Sequence, residues 1–514
     1  KLQDLLGYRH WLLVFIVFGA VYITVNHFHN KLPEVRPANG YEAFSEERAR
    51  NLLREIVSFG PRVSGSAALE VRATRLLFIR QQINKSKINK INKEINLQFD
   101  TQHPTGCFDL EFTRTTFTHC YENITNVIAR VGPAKRPADH ALLLNCHIDT
   151  MPDAPGGTDD GASCVIMMEV LEILARSPEP LKYDVVFLFN GAEENYMQGS
   201  HGFIQTHPWR HSIRAFINLE GTGAGGRELL FQAGPGNSWL LESYLDAAPY
   251  PYCATFAQEI FDSGAVPSDT DFRIFRDYGR VSGLDIAYIR NGWVYHTEFD
   301  TEDRIALGSI QRAGENILAV VKKVLSRDDL SKPSKAAEQS KWIFYDVVGI
   351  FTVRYTIQLG VFLNVLAASL TFVFIYIRIQ KDLYDGIDMI RVIGRSALSY
   401  VSMSWENSRI VGQNMFGNIL TNQYSQPEII FGLYVLPITT AGLYMHQLLR
   451  AQFQIRNAEM VYFDSILLML AVILLVLTWS GVASAYFLLN YLLFAMLREP
   501  ILYVLGKIGV LRQV

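Results

Sequence analysis

Cysteine is scarce. The chain has five, Cys107, Cys120, Cys146, Cys164 and Cys253, and no two form a Cys-x-x-Cys pair. That argues against a thiolate zinc finger. An excess of charge is also missing: the net charge is −3, with no basic stripe interleaved with aromatics. Nucleic acid is therefore excluded as a partner. Long oily runs are absent from residues 40–335 except as short strand-sized pieces, yet several occur beyond Lys335. A chain of 514 residues is long for one domain, and this change of character marks the main boundary.

Two features hint at an oxidising compartment. Cys107 and Cys120 flank an alternating stretch, Phe108 to His119, that reads as a β-hairpin; a disulfide there and two free buried thiols are both open. The other three cysteines read as small core residues. The tripeptides Asn84-Lys85-Ser86 and Asn123-Ile124-Thr125 are glycosylation sequons.

Trp11 to Val25 is almost wholly apolar and follows Arg9 and His10. A signal peptide has a similar profile, but no small-residue cleavage site follows, so residues 1–39 read as an uncleaved transmembrane anchor and linker. Positive charge before the span puts the next domain outside the cytoplasm. Beyond residue 335, Ile357–Ile377, Ile429–Met445, Ile466–Trp479 and Val482–Leu497 are spanning candidates, each approaching the ~20 residues that a bilayer requires. Residues 336–514 thus form a multi-span α-helical membrane region, and the lipid bilayer is an expected partner. Arg378, Lys381, Arg391 and Arg395 place the first loop of this region in the cytoplasm. Asn364 and Asp464 lie within spans, too few for a clear ionisable pathway.

Between these regions, residues 40–80 read as an amphipathic helix, a turn at Gly60-Pro61-Arg62, and a second helix; residues 81–95 read as an exposed connection. Leu142–Cys146, Val185–Phe189, Ala215–Leu219 and Asp285–Ile289 are apolar, β-rich and short, as buried central strands are. Gly161 to Arg176 has helical spacing. Strands alternating with helices predict an α/β domain with a sheet sandwiched by helices over residues 40–335.

The chemistry lies at the ends of these strands. His147-Ile148-Asp149 follows the first, and alternate residues point the same way, so His147 can ligate a metal while Asp149 orients a neighbour. Taken alone, a polar turn explains this tripeptide. Gly156-Gly157-Thr158-Asp159-Asp160-Gly161 opens a helix; Asp159 can bridge two cations or merely cap the helix. Glu193 and Glu194 follow a buried strand, where two carboxylates are costly without a compensating positive charge. A metal supplies it, with one Glu as ligand and the other as general base. Glu220 ends the third strand, and Tyr295-His296-Thr297 follows the fourth. Five such elements converge on the place where open α/β sheets bind ligands.

In this order the five motifs resemble the co-catalytic zinc peptidase family, which contains bacterial aminopeptidases, glutamate carboxypeptidases and glutaminyl cyclases. The likeness covers residues 45–330. It implies a zinc-exopeptidase-like mixed sheet and two zinc ions per chain. Asp159 would bridge them, with a cis bond to Asp160. His147 and Glu220 would complete one zinc, and Glu194 and His296 the other. Glu193 would be the general base, Asp149 the partner of His147, and Tyr295 the oxyanion stabiliser. Many relatives have Asp where this chain has Glu220. The resemblance implies a peptide substrate, an endoplasmic reticulum membrane with the peptidase domain lumenal, and a membrane-bound zinc-dependent exopeptidase, as an aminopeptidase rather than a carboxypeptidase. The alternatives are a glutaminyl-cyclase-like acyl transferase and a non-catalytic receptor or scaffold on the same fold. Neither the substrate nor the oligomeric state follows from the sequence.

Overall fold

The structure, a computed structural model, describes residues 8–74, 94–112, 115–134, 139–236, 238–263, 268–332, 342–347, 349–398 and 458–507, with residues 401, 440, 444 and 455. The chain divides into two compact units, Lys1–Arg354 and Tyr355–Val514.

The first unit is built on a mixed seven-stranded sheet. Its strands are β1 (Ile95–Gln102), β4 (Asn126–Pro133), β5 (Ala141–His147), β6 (Asp184–Asn190), β7 (Ile213–Gly221), β8 (Glu228–Gly234) and β9 (Ser282–Tyr288), in spatial order β1-β4-β6-β5-β7-β9-β8. The middle four, β6, β5, β7 and β9, run parallel. The flanking strands β4 and β8 run antiparallel to them. The four apolar runs expected in the centre are these middle strands. Every residue of β5, β6 and β9 is buried, because both sheet faces are covered and the strands have no solvent side to alternate with.

One face packs on the helices Glu46–Val57, Ser163–Ala175 and Ser309–Ser326 through a single large core. Glu46–Val57 starts where Ser45 Oγ accepts the Arg48 N–H, and it buries Ala49, Leu52, Leu53 and Ile56, one stripe at helical spacing. The other face packs on Gln198–Thr206 and Asp271–Asp277 and on a hairpin of β2 (Gly106–Phe112) and β3 (Thr115–Tyr121). The hairpin register sets Cys107 opposite Cys120, and they form a disulfide. Cys146, Cys164 and Cys253 are buried free thiols.

The first unit continues past residue 335. The strand β10 (Trp342–Val347) pairs with β11 (Phe351–Thr356). It is tied to the domain where Thr255 Oγ1 donates to the Phe344 carbonyl and Arg227 pairs with Asp346. At the other end, Trp11–Val25 lies within a helix, Tyr8–Asn30. The connection expected at 81–95 and the sequon at Asn84 fall almost entirely outside the described residues.

In the second unit the helices Ile357–Gln380 and Met460–Trp479 are long and apolar enough to cross a membrane. The run Val482–Leu497 differs from expectation. Gly481 adopts a positive φ, a short turn follows at Ala483–Ala485, and the helix Tyr486–Met496 has only 11 residues. The candidate Ile429–Met445 lies outside the described residues apart from 440 and 444. The polar residues noted within the spans are partnered: Asn364 donates to Thr478 Oγ1 at 2.9 Å, and Asp464 pairs with Arg378 and accepts from the Tyr384 hydroxyl. That satisfies the Asp464 carboxylate and the Asn364 amide N–H, groups otherwise costly among apolar helices, while Asn364 Oδ1 has no hydrogen-bond partner among the described residues.

Candidate metal centre

Parallel strands all present their carboxyl ends to the same edge of the sheet, so β5, β6, β7 and β9 deliver their following residues to one crevice. His147 is the last residue of β5, and Glu220 is the penultimate residue of β7. Glu193 and Glu194 stand on the turn after β6, and His296 on the loop after β9. Asp159 comes from the turn Gly157–Ala162, where its bond to Asp160 is cis.

The geometry makes two groups that share Asp159. His147 Nε2 lies 3.0 Å from Asp159 Oδ1 and 3.3 Å from Glu220 Oε1. His296 Nε2 lies 3.3 Å from Asp159 Oδ2 and 3.1 Å from Glu194 Oε2. Within each group the potential ligand atoms lie inside 4.8 Å of one another. Asp159 Oδ2, Glu220 Oε2 and His296 Nε2 are buried and have no hydrogen-bond partner in the protein. Buried polar atoms normally have partners, so orphans that converge this way suit a cation. Two imidazoles and three carboxylates are also the oxygen and nitrogen donor set that zinc accepts.

The electrostatics point the same way. Burial disfavours a charged His147, yet Glu220, Asp149 and Asp159 outweigh it and hold the ring pKa well above its usual value. Burial, with Asp159 beside it, pushes Glu194 up to about 7. Burial, with Glu220, Asp271 and Glu194 adding to it, holds Glu193 well above the carboxylate range. His296 rises to about 9 against its own burial, through Asp159 and Glu194. The cluster is short of positive charge.

Asp149 meets the His147 ring and the next strand end as well. The His147 Nδ1 contact at 3.1 Å is to the Asp149 main-chain carbonyl, and the carboxylate lies farther off at 3.6 Å. That carboxylate also accepts the backbone N–H groups of Glu193 and Glu194, both at 3.1 Å. It ties the ends of β5 and β6 together. Tyr295 lines the cavity beside the site, its ring stacked on His296 with centroids 3.6 Å apart; burial and then Asp159 raise its pKa.

Three supports escaped the sequence reading. Asp300 accepts the N–H groups of Thr158 and Asp159 at 2.8 and 3.0 Å, fixing the turn that carries the shared carboxylate. Arg62 is wholly buried; Nε donates to the Ile148 carbonyl at 2.8 Å, Nη1 to Pro155 at 2.7 Å and Nη2 to Gly156 at 3.1 Å. Below the site, Asn145 and Asn190 both donate to Asp271. Arg62 stood in view as the end of a Gly-Pro-Arg turn. Asp300 follows His296 by four residues. Neither spacing signals its partner, because both contacts are made across the fold.

Residues 126–321 match peptidase family M28. Among similar proteins, the putative endoplasmic reticulum metallopeptidase 1-A of Caenorhabditis elegans is 50% identical over 515 residues, covering 100% of this chain and 57% of that protein. Endoplasmic reticulum metallopeptidase 1 of Mus musculus is 38% identical over 471 residues, covering 90% of this chain and 51% of that protein. The chain thus spans little more than half the length of these relatives. A zinc aminopeptidase from Bacillus subtilis aligns at 13% identity over 58% of this chain and 99% of its own, with a TM-score of 0.39, too distant to carry weight.

The cavity beside the centre has a volume of about 300 Å³. Its lining includes the carboxylates Glu193, Glu194, Glu220 and Asp269 and the apolar side chains Leu229, Phe231, Phe261 and Ile289. No Lys or Arg lines it among the described residues.

Proposed function

We propose that this chain is a membrane-anchored M28 metallopeptidase that removes apolar residues from the amino end of peptides. Two triads sharing Asp159, with Glu194, Glu220 and His296 lining one cavity, carry this reading. His147, Asp159 and Glu220 would hold one zinc, and Asp159, Glu194 and His296 a second. When bound, the ions supply Lewis-acid activation of water and of the scissile carbonyl.

The side chains supply the rest. Glu193, as the carboxylate, takes a proton from the attacking water and hands it to the leaving amine as the C–N bond breaks. The Tyr295 hydroxyl, at the cavity wall, donates to the carbonyl oxygen as it gains charge. Carboxylates without a cationic side chain favour a peptide's free ammonium group over its carboxylate, which supports trimming from the amino end. The wall of Leu229, Phe231, Phe261 and Ile289 favours an apolar first residue. Tyr8–Asn30, with Phe15, Phe18 and Tyr22 exposed, reads as the anchor, and Ile357–Gln380 and Met460–Trp479 as spans of a multi-pass region. The peptidase domain then faces the lumen of the endoplasmic reticulum, consistent with its disulfide and with the exposed sequon at Asn123.

The test is elemental analysis of the purified chain together with digestion of a mixed peptide library, with and without chelator. About two zinc ions and chelator-sensitive loss of apolar residues from the amino end support the reading. Trimming from the carboxyl end corrects its direction. Cyclised N-terminal Gln with about one zinc replaces it with an acyl transferase. Neither metal nor cleavage leaves a non-catalytic scaffold.

A further inference from the structure

Ile289 has a second role in the fold. One side of it lines the candidate active-site cavity, and the other lines a smaller recess of about 130 Å³ formed with His29, Gly226, Arg227, Tyr252 and Arg290. Nothing in the proposed hydrolysis uses this recess. Arg227 is 8% exposed, and its Nη2 donates to Asp346 Oδ1 at 3.0 Å. Its Nη1 is buried and has no hydrogen-bond partner. The guanidinium carbon lies over the Tyr252 ring, 4.0 Å from the centroid. A buried guanidinium donor left idle is unusual, since such groups are costly to desolvate without a partner.

Arg290 adds a second cation to the lining. It can lie there because Gly226 has no side chain: a Cβ on Gly226 would come within 2.9 Å of Arg290 Cδ and 3.1 Å of its Cβ. The charged groups bearing most on the His29 ring are Arg227, Arg290 and Asp346, two cations against one anion. Burial first, and then both arginines, lower the His29 pKa, as expected where the local potential is positive.

The position of the recess narrows the ligand. His29 is the penultimate residue of the helix Tyr8–Asn30, whose earlier turns expose Phe15, Phe18 and Tyr22. If that helix is the anchor of the proposed function, on which this step rests, the recess opens at the level of the lipid headgroups. Arginines paired in a partly enclosed, electropositive recess at that level match a phosphate oxyanion, which guanidinium recognises through paired N–H donors. We propose that this recess binds a phosphate group, presented by an anionic lipid headgroup or as free phosphate.

The experiment uses the full chain in detergent, titrated calorimetrically with dihexanoyl phosphatidic acid, inorganic phosphate and an N-acetylated dipeptide bearing a free carboxylate. Arg290→Gln is the informative variant, because Arg290 is exposed and its side chain is outside the hydrolytic machinery. Saturable binding of phosphatidic acid that Arg290→Gln weakens by about tenfold or more supports the proposal. Equal binding of inorganic phosphate keeps the site but assigns it to the free ion and breaks its link to the anchor. No saturable binding of either phosphate species, or binding unchanged in Arg290→Gln, overturns it. So does tight binding of the acetylated dipeptide alone, which would make the recess part of the peptide cavity. Peptide hydrolysis is measured on the same samples: Arg290→Gln should match the wild type. A chain that binds phosphatidic acid and hydrolyses nothing would sink the peptidase reading and leave this site standing.

Discussion

His147 and Glu220 belong to strands at the middle of the sheet and are 1% and 6% exposed. Glu194 and His296 stand on loops, and the His296 side chain is 32% exposed. The two halves of the centre therefore share Asp159 and little else. Ladder hydrogen bonds on both sides hold the strand-borne half. The loop-borne half is held by single contacts, such as the Met151 N–H to Glu194 Oε1 at 3.1 Å, and by the backbone bonds to Asp149. The strand-borne half is thus the more closed side and the loop-borne half the more open one, although Glu220 lines the cavity together with Glu194 and His296.

The sharpest test of this division is the residue common to both halves. Asp159→Asn is expected to lower metal content from about two ions to nearly none, with a fall in kcat/KM of about 10⁴ or more. Elemental analysis decides it; retention of a full metal complement would mean that the halves do not share this carboxylate.

Next in size is the contrast between His147→Ala and His296→Ala. The first removes the imidazole that Asp159 and Glu220 share and should cost about 3–5 kcal/mol in urea unfolding of the metal-free protein. The second empties a partly exposed position and should cost about 1 kcal/mol or less. Equal losses would erase the distinction between closed and open sides.

A smaller effect is expected one layer back. Asp300→Asn loses one of the two acceptors that hold Thr158 and Asp159 and should cost about 1–3 kcal/mol. Its metal affinity should drop about 10–100-fold, read by competition with a chelator, because the turn bearing the shared ligand loosens.

The smallest is a control away from the centre. Burial lowers His201 to about 4, where it stacks on Phe108 and its Nδ1 meets the Tyr121 hydroxyl at 2.8 Å. The unfolded chain protonates this ring near 6.5, so the unfolded state binds more protons between the two values. Stability should be full above about pH 6.5 and decline as pH falls toward about 4. His201→Gln should flatten that part of the melting curve. An unchanged slope would show that the acid sensitivity comes from the metal centre instead.

Much of this architecture was legible in the residues. The four central strands announced themselves because a sheet covered on both faces demands unbroken apolar runs. The candidate ligands were visible because they directly follow those runs, and parallel strands bring their ends to one edge. The hairpin was readable from alternation, while the pairing of Cys107 with Cys120 was open until the register set them opposite each other. The break between the last two apolar runs was legible at Ser480-Gly481, where Gly481 takes a positive φ, but composition alone does not reveal that a separate turn at Ala483–Ala485 shortens the helix that follows.

The supporting layer could not be read at all. Arg62 looks like a surface arginine in a turn, yet it is buried and bonded to three carbonyls of another loop. Asp149 was readable as a partner for the His147 ring, but not that its carboxylate also holds the next strand end. By itself the sequence determined which segments are strands, their buried character and the order in which acidic residues and histidines meet their ends, because those depend on local periodicity and chain direction. Only the tertiary structure decided which carboxylates share a cation-sized gap, which cations line the recess behind Ile289 and which backbone groups each buried charge serves. Those contacts join residues up to hundreds of positions apart, and no local pattern encodes them.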